Sequence, residues 1–135
     1  MNNETDKLSK YQGALYEFQA PGTFEPVDDM TGGGVFQLEA GQWTDDTSMA
    51  LCIAESLTRL KDFNEQDQLD NFLMWKDSGY LSSNGVCFDI GGSTAASLES
   101  YRKTGKTEAN DPDGAGNGSL MRLAPVVLQQ PRGCN

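Results

Sequence analysis

The sequence contains no histidine and has little positive charge. Without an imidazole the chain cannot form a Ser-His-Asp triad, a Cys-His dyad or an HExxH zinc site, so any acid–base or metal chemistry must use carboxylates, hydroxyls and backbone groups. Ten Lys and Arg residues stand against 20 Asp and Glu residues, which gives a formal net charge of −10. That charge repels phosphate backbones and anionic lipids, and it excludes nucleic-acid binding through a basic patch and binding to a membrane surface.

Cysteine and long apolar runs are also scarce. Cys52, Cys87 and Cys134 are too far apart in sequence to form a CxxC metal or redox pair, and an odd number of scattered cysteines is typical of free thiols in a reducing compartment. The polar first residues lack the apolar core of a signal peptide, and no apolar run approaches membrane-spanning length. These features predict a cytoplasmic protein.

Leu, Ile, Val and Phe make up only about a fifth of the 135 residues, which together with high net charge is typical of disorder. Because the local patterns indicate folded helices, we infer instead a single but incomplete domain that has too little core of its own. Such a domain would expose apolar helix faces and self-associate through them. The expected exposed residues are Leu51, Leu57, Phe72, Leu73 and Leu98.

Apolar residues spaced three and four apart, capping residues and glycine stops predict four helices. Their predicted limits are Thr44 to Leu60, Asn64 to Gly79, Ser93 to Gly105, and a short helix that begins near Asn117 and is limited by Pro125. A weaker helical stretch runs from Leu8 to Phe18. No alternating strand pattern is visible, so the predicted fold is all-α with glycine-rich loops.

The first chemical motif is Thr44-Asp45-Asp46-Thr47, at the predicted start of a helix. In one interpretation Thr44 caps the helix and the two acids favour the positive end of its dipole. In the other, the adjacent carboxylates and the threonine oxygen supply part of the oxygen ligand set that Mg²⁺ prefers, and the cation relieves the repulsion between the acids. The residues alone leave both interpretations open.

Two glycine-rich motifs follow. Asp89-Ile90-Gly91-Gly92-Ser93 is either a turn before a helix or a carboxylate beside backbone amides that face a ligand. In the segment from Gly114 to Arg122, glycines at alternate positions let the backbone approach a ligand closely. This segment has neither the spacing of a dinucleotide-binding fingerprint nor the ligand positions of an EF-hand. By itself it indicates only a loop that enters a helix.

In this order, however, the three motifs resemble those of the ADP-ribosylglycohydrolases. The resemblance is carried by Thr44-Asp45-Asp46-Thr47, Asp89-Ile90-Gly91 and Gly116-Asn117-Gly118-Ser119-Leu120-Met121-Arg122, and it extends over about residues 12–127, with residues 128–135 as an unmatched tail. It implies an all-α domain with two Mg²⁺ ions, or Mn²⁺ in their place, in a central cleft. It also implies hydrolysis of the bond that joins ADP-ribose to a modified acceptor.

The resemblance assigns roles to ten residues. Thr44, Asp45 and Asp46 would be metal ligands. Glu17 would be a catalytic or gating carboxylate beside the metals, and Asp89 would hold the ribose near the scissile bond. The residues that would contact the ribose and diphosphate are Gly91, Gly92, Asn117, Gly118 and Ser119.

Two departures from the family pattern bear on activity. Gly13-Ala14-Leu15-Tyr16 runs directly into Glu17, without the Gly-Asp-Ala-Leu-Gly segment that the family has there. The late Asp-x-Asp-Thr motif that completes the family's metal site is also absent. We therefore expect weak or incomplete Mg²⁺ binding and no useful turnover by this chain alone. The alternative interpretations are an inactive fragment that at most binds ADP-ribose or a partner, and an acidic helical interaction module.

Overall fold

The computed structural model describes residues 16, 18–23, 29–108 and 116–129. Five helices lie entirely within these ranges, and they are α1 Asp45–Leu60, α2 Glu65–Ser78, α3 Gly92–Thr104, α4 Gly118–Met121 and α5 Ala124–Gln129. Within these ranges the only strand-like pairing is one isolated bridge, between Gly33 and Leu38. The all-α prediction is therefore confirmed. Nearly all of the predicted helical stretch before Phe18 lies outside the described residues.

The chain forms two compact units, residues 1–43 and 44–135. In the first unit Gly33 and Leu38 exchange two backbone hydrogen bonds of 2.7 and 2.9 Å around a tight turn. Gly32 runs so close to this turn that a Cβ on it would lie 2.4 Å from the carbonyl oxygen of Leu38. The packing of this unit is therefore local, with Leu38 buried and the rings of Phe18 and Phe36 in edge contact.

In the second unit, α2 has the ends that its sequence predicts. The side chain of Asn64 accepts a hydrogen bond of 3.0 Å from the backbone N–H of Asp67, which satisfies one of the free amides at the helix start. Gly79 ends the helix in the left-handed conformation, at φ 71°. Gly79 also packs against the following loop, since a Cβ on it would lie 2.0 Å from the carbonyl oxygen of Gly85.

The core of the second unit lies between α1, α2 and α3. Met49 and Cys52 of α1, Trp75 of α2 and Leu98 of α3 are each at most 1% exposed. Asn71 joins the first two helices through two hydrogen bonds with Cys52. The Asn71 side-chain amide donates to the backbone carbonyl of Cys52 at 3.1 Å, and the backbone carbonyl of Asn71 accepts from the Cys52 thiol. This core fixes the directions of the helices whose first residues carry the motifs.

The predicted set of exposed apolar residues is largely wrong. Leu57, Phe72 and Leu98 are buried in this core, and Leu73 is half-buried against it, because α1, α2 and α3 cover one another. Of that set only Leu51 is exposed. Other exposed apolar residues include five on α4, on α5 and in the turn between them, and these are Leu120, Met121, Leu123, Val127 and Leu128.

The role predicted for Pro125 is also wrong. The proline does not limit a helix; it lies in the first turn of α5, where its missing N–H costs nothing and its fixed φ suits the helix. The helix that begins at Gly118 ends already at Met121, and α5 then packs along α1.

Salt bridges and a hydrogen bond on the surface align α3 with α2. Arg102 donates to both carboxylate oxygens of Asp77, at 2.7 and 2.9 Å, and Lys76 pairs with Glu99. The Tyr101 hydroxyl donates to Asp70 at 2.9 Å. No helix within the described ranges is both long enough and apolar enough to cross a bilayer.

Candidate functional site

The adjacent acids of the first motif occupy the first turn of α1. Thr44 is the residue before the helix, and Asp45 and Asp46 are its first two residues, all three half-buried. The Thr44 side chain makes no capping hydrogen bond; its backbone carbonyl instead accepts from the N–H and the hydroxyl of Ser48. The capping role considered for the Thr44 hydroxyl is therefore not observed, although the acids do lie at the positive end of the helix dipole.

Asp89 lies in the turn that leads into α3. Its φ is +59°, in the left-handed region that few residues other than glycine adopt, although Asp and Asn tolerate it best. Gly91 then caps α3, which begins one residue earlier than predicted, at Gly92. The carboxylate of Asp89 is close enough to Asp45 to act on it electrostatically. The first two motifs therefore meet at the same end of the second unit.

The third motif reaches both of the others. A Cβ on Gly118 would lie 3.5 Å from the Asp46 carboxylate, and a Cβ on Gly116 would lie 3.7 Å from the Ser93 side chain at the start of α3. Asn117 and Ser119 flank these contacts and are exposed. Residues from three separate stretches of sequence thus surround one region beside the start of α1, where a ligand would contact all three motifs.

Glu17 lies outside the described residues. The other nine predicted site residues all belong to the second unit. Thr44, Asp45 and Asp46 share the α1 start, Gly91 and Gly92 share the α3 start, and Asn117 to Ser119 lead into α4.

The two adjacent acids have different electrostatic surroundings. Burial, followed by the charges of Asp46 and Asp89, raises the pKa of Asp45 to about 6. Burial also raises the pKa of Asp46, but the Arg122 guanidinium opposes that rise. Asp89 therefore adds negative charge beside Asp45, and Arg122 adds positive charge that acts more on Asp46 than on Asp45. An added cation would relieve the repulsion at Asp45, where the charges of Asp46 and Asp89 add to the effect of burial.

The glycines of the site are not required by the chain itself. A Cβ on Gly92 would meet nothing within 4 Å, and one on Gly91 would meet only the Thr94 hydroxyl, at 3.9 Å. At Gly116 and Gly118 the nearest atoms would be at ordinary van der Waals distances. None of these four glycines has the positive φ that favours glycine. The folded chain therefore leaves open space at the Cβ positions of Gly91 and Gly92, as close approach of a ligand would need.

The donor chemistry of the site suits a hard cation, but the number of ligands is small. Carboxylate and hydroxyl oxygens from Thr44, Asp45 and Asp46 are the type that Mg²⁺ prefers. Across the part of the chain that the structure describes, however, no three His, Cys, Asp or Glu side chains are close enough together to hold a metal ion. These residues fit part of a magnesium site rather than a complete one.

Arg122 is a site residue to which sequence reasoning gave no role. It lines a cavity of about 220 Å³ together with Phe72 and Met49, the hydroxyl residues of the α3 start, and Gly116, Gly118 and Ser119. Its Nη1 lies 3.8 Å from the position of a Cβ on Gly118. One signal was present in the sequence, because Arg122 follows Gly118 by four residues and so lies one helical turn away from it.

Comparison with known proteins gives the same family as the resemblance of the three motifs. The family model for ADP-ribosylglycohydrolase matches residues 11–133. An ADP-ribosylarginine hydrolase Tri1 from Pseudomonas putida (strain GB-1) is 45% identical over 118 residues, which cover 86% of this chain and 32% of that protein. The protein of the same name from Serratia proteamaculans (strain 568) is 42% identical over 138 residues, covering 93% of this chain and 38% of its own length.

Two further matches extend the comparison. An ADP-ribosyl-[dinitrogen reductase] glycohydrolase from Rhodospirillum rubrum is 35% identical over 121 residues, covering 86% of this chain and 39% of that protein. A solved structure described as an ADP-ribosylglycohydrolase-related protein complex superposes with a TM-score of 0.71 at 45% identity, covering 90% of this chain and 38% of that one. The chain therefore spans between about a third and two fifths of the length of these relatives.

Proposed function

Because the chain belongs to the ADP-ribosylglycohydrolase family, we propose that it takes part in Mg²⁺-dependent hydrolysis of the bond between ADP-ribose and a modified protein side chain. The observation that carries this proposal is the convergence of three motifs: the acid pair of α1, the Asp89 turn and the Gly116–Ser119 loop meet in one region. That region combines carboxylates for a cation with open backbone for a nucleotide.

For the acceptor we propose arginine. The two relatives with 45% and 42% identity are both named as ADP-ribosylarginine hydrolases, and each aligns with most of this chain. All three motifs lie within residues 11–133, the range that the family model matches. The bond that would be cleaved joins C1 of the ribose to a guanidinium nitrogen, and the expected transition state has oxocarbenium character at C1.

Thr44, Asp45 and Asp46 would hold the cation, with Asp89 on the side of Asp45. When bound, a divalent cation lowers the pKa of water and stabilises developing negative charge. The pKa of Asp45, raised to about 6 by burial and neighbouring acids, supports this assignment, because a cation would relieve the repulsion. Incomplete ligation by the described residues supports weak rather than tight binding by the 135-residue chain.

The open glycines would hold the ADP-ribose. The backbone at Gly91 and Gly92 faces free space at the start of α3, where N–H groups without helical partners favour a phosphate. Asn117, Gly118 and Ser119 would contact the substrate from the other side. Asp89, in its left-handed turn, would accept a hydrogen bond from a ribose hydroxyl and so position C1 beside the acid pair.

We further propose that the 135-residue chain binds ADP-ribose weakly but does not turn over by itself. Rate acceleration needs the cation, the attacking water and the ribose in one geometry, and a misplacement of about 1 Å costs about a hundredfold. The acid pair and Asp89 provide only part of the necessary ligand set. The alternative, a module that binds ADP-ribose or a partner without any chemistry, predicts the same binding but no dependence on Mg²⁺.

Calorimetry on the full chain tests this proposal. ADP-ribose is titrated with Mg²⁺ present and with a chelator present, for the wild type and for Asp45→Asn. We expect binding that Mg²⁺ strengthens and that Asp45→Asn makes insensitive to Mg²⁺. A parallel assay measures release of ADP-ribose from an arginine-modified protein. Mg²⁺-dependent release that Asp45→Asn abolishes would overturn the proposed inactivity, and absence of any ADP-ribose binding would overturn the proposed function.

A further inference from the structure

Arg122 is a cation held against two apolar side chains, Met49 and Phe72. Its Nη1 donates to the Met49 sulfur at 3.0 Å, and its guanidinium carbon lies 5.4 Å from the centre of the Phe72 ring. The residue is half-buried, and it forms the end of the short helix α4. The ring face and the sulfur attract a cation only weakly, so they fix the position of the guanidinium without neutralising it.

The negative charges that act on Arg122 belong to the acid pair. Asp46 and, more weakly, Asp45 are the groups whose charges act on Arg122. The Asp46 carboxylate oxygen and Arg122 Nη1 lie 3.5 and 3.8 Å from the same point, the position of a Cβ on Gly118. Because residue 118 is a glycine, no side chain occupies the space beside both groups. The cation and the carboxylate therefore lie on two sides of Gly118 without a direct ion pair, and each acts on the other through space.

We propose that Arg122 is a positioning residue for the acid pair. Fixed by Phe72 and Met49, the guanidinium attracts the Asp46 carboxylate through space and supplies positive charge beside two adjacent acids at the start of α1. The inference rests on the proposed function in treating Asp46 as part of the binding site, but the coupling itself is measurable without cation or substrate. Arg122 acts through Asp46 and is not assigned a contact with the reacting atoms.

A purely space-filling role makes a different prediction. If Arg122 only covered the Phe72 ring, then Arg122→Met, which keeps length and removes charge, would cost the same stability whether or not Asp46 is charged. Arg122→Lys would bring no specific recovery. A positioning charge predicts instead that the effect depends on Asp46 and that lysine, which retains the charge, restores part of it.

The test is a double-mutant cycle on the full chain, by thermal unfolding with a chelator present. It compares the wild type, Arg122→Met, Asp46→Asn, the double variant and Arg122→Lys. We expect Arg122→Met to lower Tm by about 5 °C in the wild type and by less than half of that in the Asp46→Asn background. Arg122→Lys should retain most of the wild-type Tm.

Equal losses of Tm in both backgrounds, or a lysine variant no better than the methionine variant, would overturn the inference. If Arg122→Met alone fails to fold, a double variant that folds supports the coupling, and a double variant that also fails to fold overturns it. A separate Mg²⁺ titration of the wild type distinguishes the two proposals. Absence of Mg²⁺ binding would refute the cation site while the measured coupling between Arg122 and Asp46 stands or falls independently.

Discussion

The glycine that ends α2 and the glycines around the acid pair differ in what requires them. At Gly79 the fold itself excludes a side chain, because φ is +71° and a Cβ would lie 2.0 Å from backbone of the next turn. At Gly92 a Cβ would meet nothing within 4 Å, and the backbone is helical. A glycine that the fold does not require weakens a helix without structural benefit. The difference separates a glycine that the fold requires from glycines that it does not require, and to the second set we have proposed a role in ligand binding.

Gly79→Ala should change the free energy of unfolding more than any other variant considered below. The new methyl group would overlap backbone atoms that cannot move away, and the left-handed conformation adds its own cost, so we expect a loss of about 3 kcal/mol or more in the free energy of unfolding. Urea denaturation measures it. Gly105→Ala is the matched control, since Gly105 also ends a helix at positive φ but has open space around it, and it should cost only about 1 kcal/mol. Equal costs would show that crowding at Gly79 is unimportant.

Asp45→Asn tests whether the charge of Asp45 lowers the stability of the folded chain. The folded pKa of Asp45 is raised from 3.8 to about 6, so the folded state favours the protonated form. The stability that the proton contributes is complete below about pH 4 and is lost as pH rises through about 6. With a chelator present, Asp45→Asn should therefore gain about 1 kcal/mol over the wild type at pH 8 and nothing at pH 4, the gain being reduced by solvent screening of a half-exposed acid.

The control for Asp45→Asn is Asp62→Asn, which removes the same formal charge from the exposed turn after α1. Urea titrations of both variants at the two pH values separate the local repulsion from the change in net charge. A gain at pH 8 that is equal in the two variants would contradict the proposed strain between Asp45, Asp46 and Asp89.

Variants at the starts of α1 and α2 should differ in stability by a smaller amount. Asn64→Ala removes the hydrogen bond that Asp67 donates to the cap of α2, and we expect a loss of about 1 kcal/mol. Thr44→Val at the start of α1 removes a hydroxyl that makes no capping bond, so stability should change by less than about 0.5 kcal/mol while Mg²⁺ affinity falls. Unfolding curves and calorimetry measure the two quantities. A Thr44 variant as destabilised as the Asn64 variant would assign Thr44 to the fold rather than to the site.

Gly92→Ala should have the smallest effect on stability. The methyl group has free space at the first position of α3, and alanine favours the helix, so the free energy of unfolding should stay the same or rise by up to about 1 kcal/mol. A loss of stability would show that the glycine has a structural role that the surrounding space does not reveal.

The sequence predicted the ends of the long helices well because these ends depend on local chemistry. Asn64 caps, and Gly79 and Gly105 end helices, through interactions within one turn of chain. Burial was predicted poorly, as Leu57 and Phe72 show, because it depends on which helices pack together. For the same reason sequence reasoning gave Arg122 no role, since its contact with Met49, 73 residues earlier, exists only in the folded chain.

For the site, too, the local features were predictable from sequence and the long-range ones were not. The motifs and their order predicted which stretches carry it, and the structure brings Asp46, Gly118 and the start of α3 together. Sequence alone could not predict the unequal surroundings of Asp45 and Asp46, because these depend on Asp89 and Arg122, each more than 40 residues away along the chain.

The measurement that tests the central claim most directly is ADP-ribose binding, with Mg²⁺ present, to the wild-type chain and to Gly92→Ala. The account predicts measurable binding by the wild type and an affinity at least about tenfold lower in the variant, because the methyl group would occupy space reserved for the ligand while Tm stays at or above the wild-type value. Equal affinities, or no binding by the wild type, would contradict the assignment of these glycines and of the region beside the acid pair to ADP-ribose.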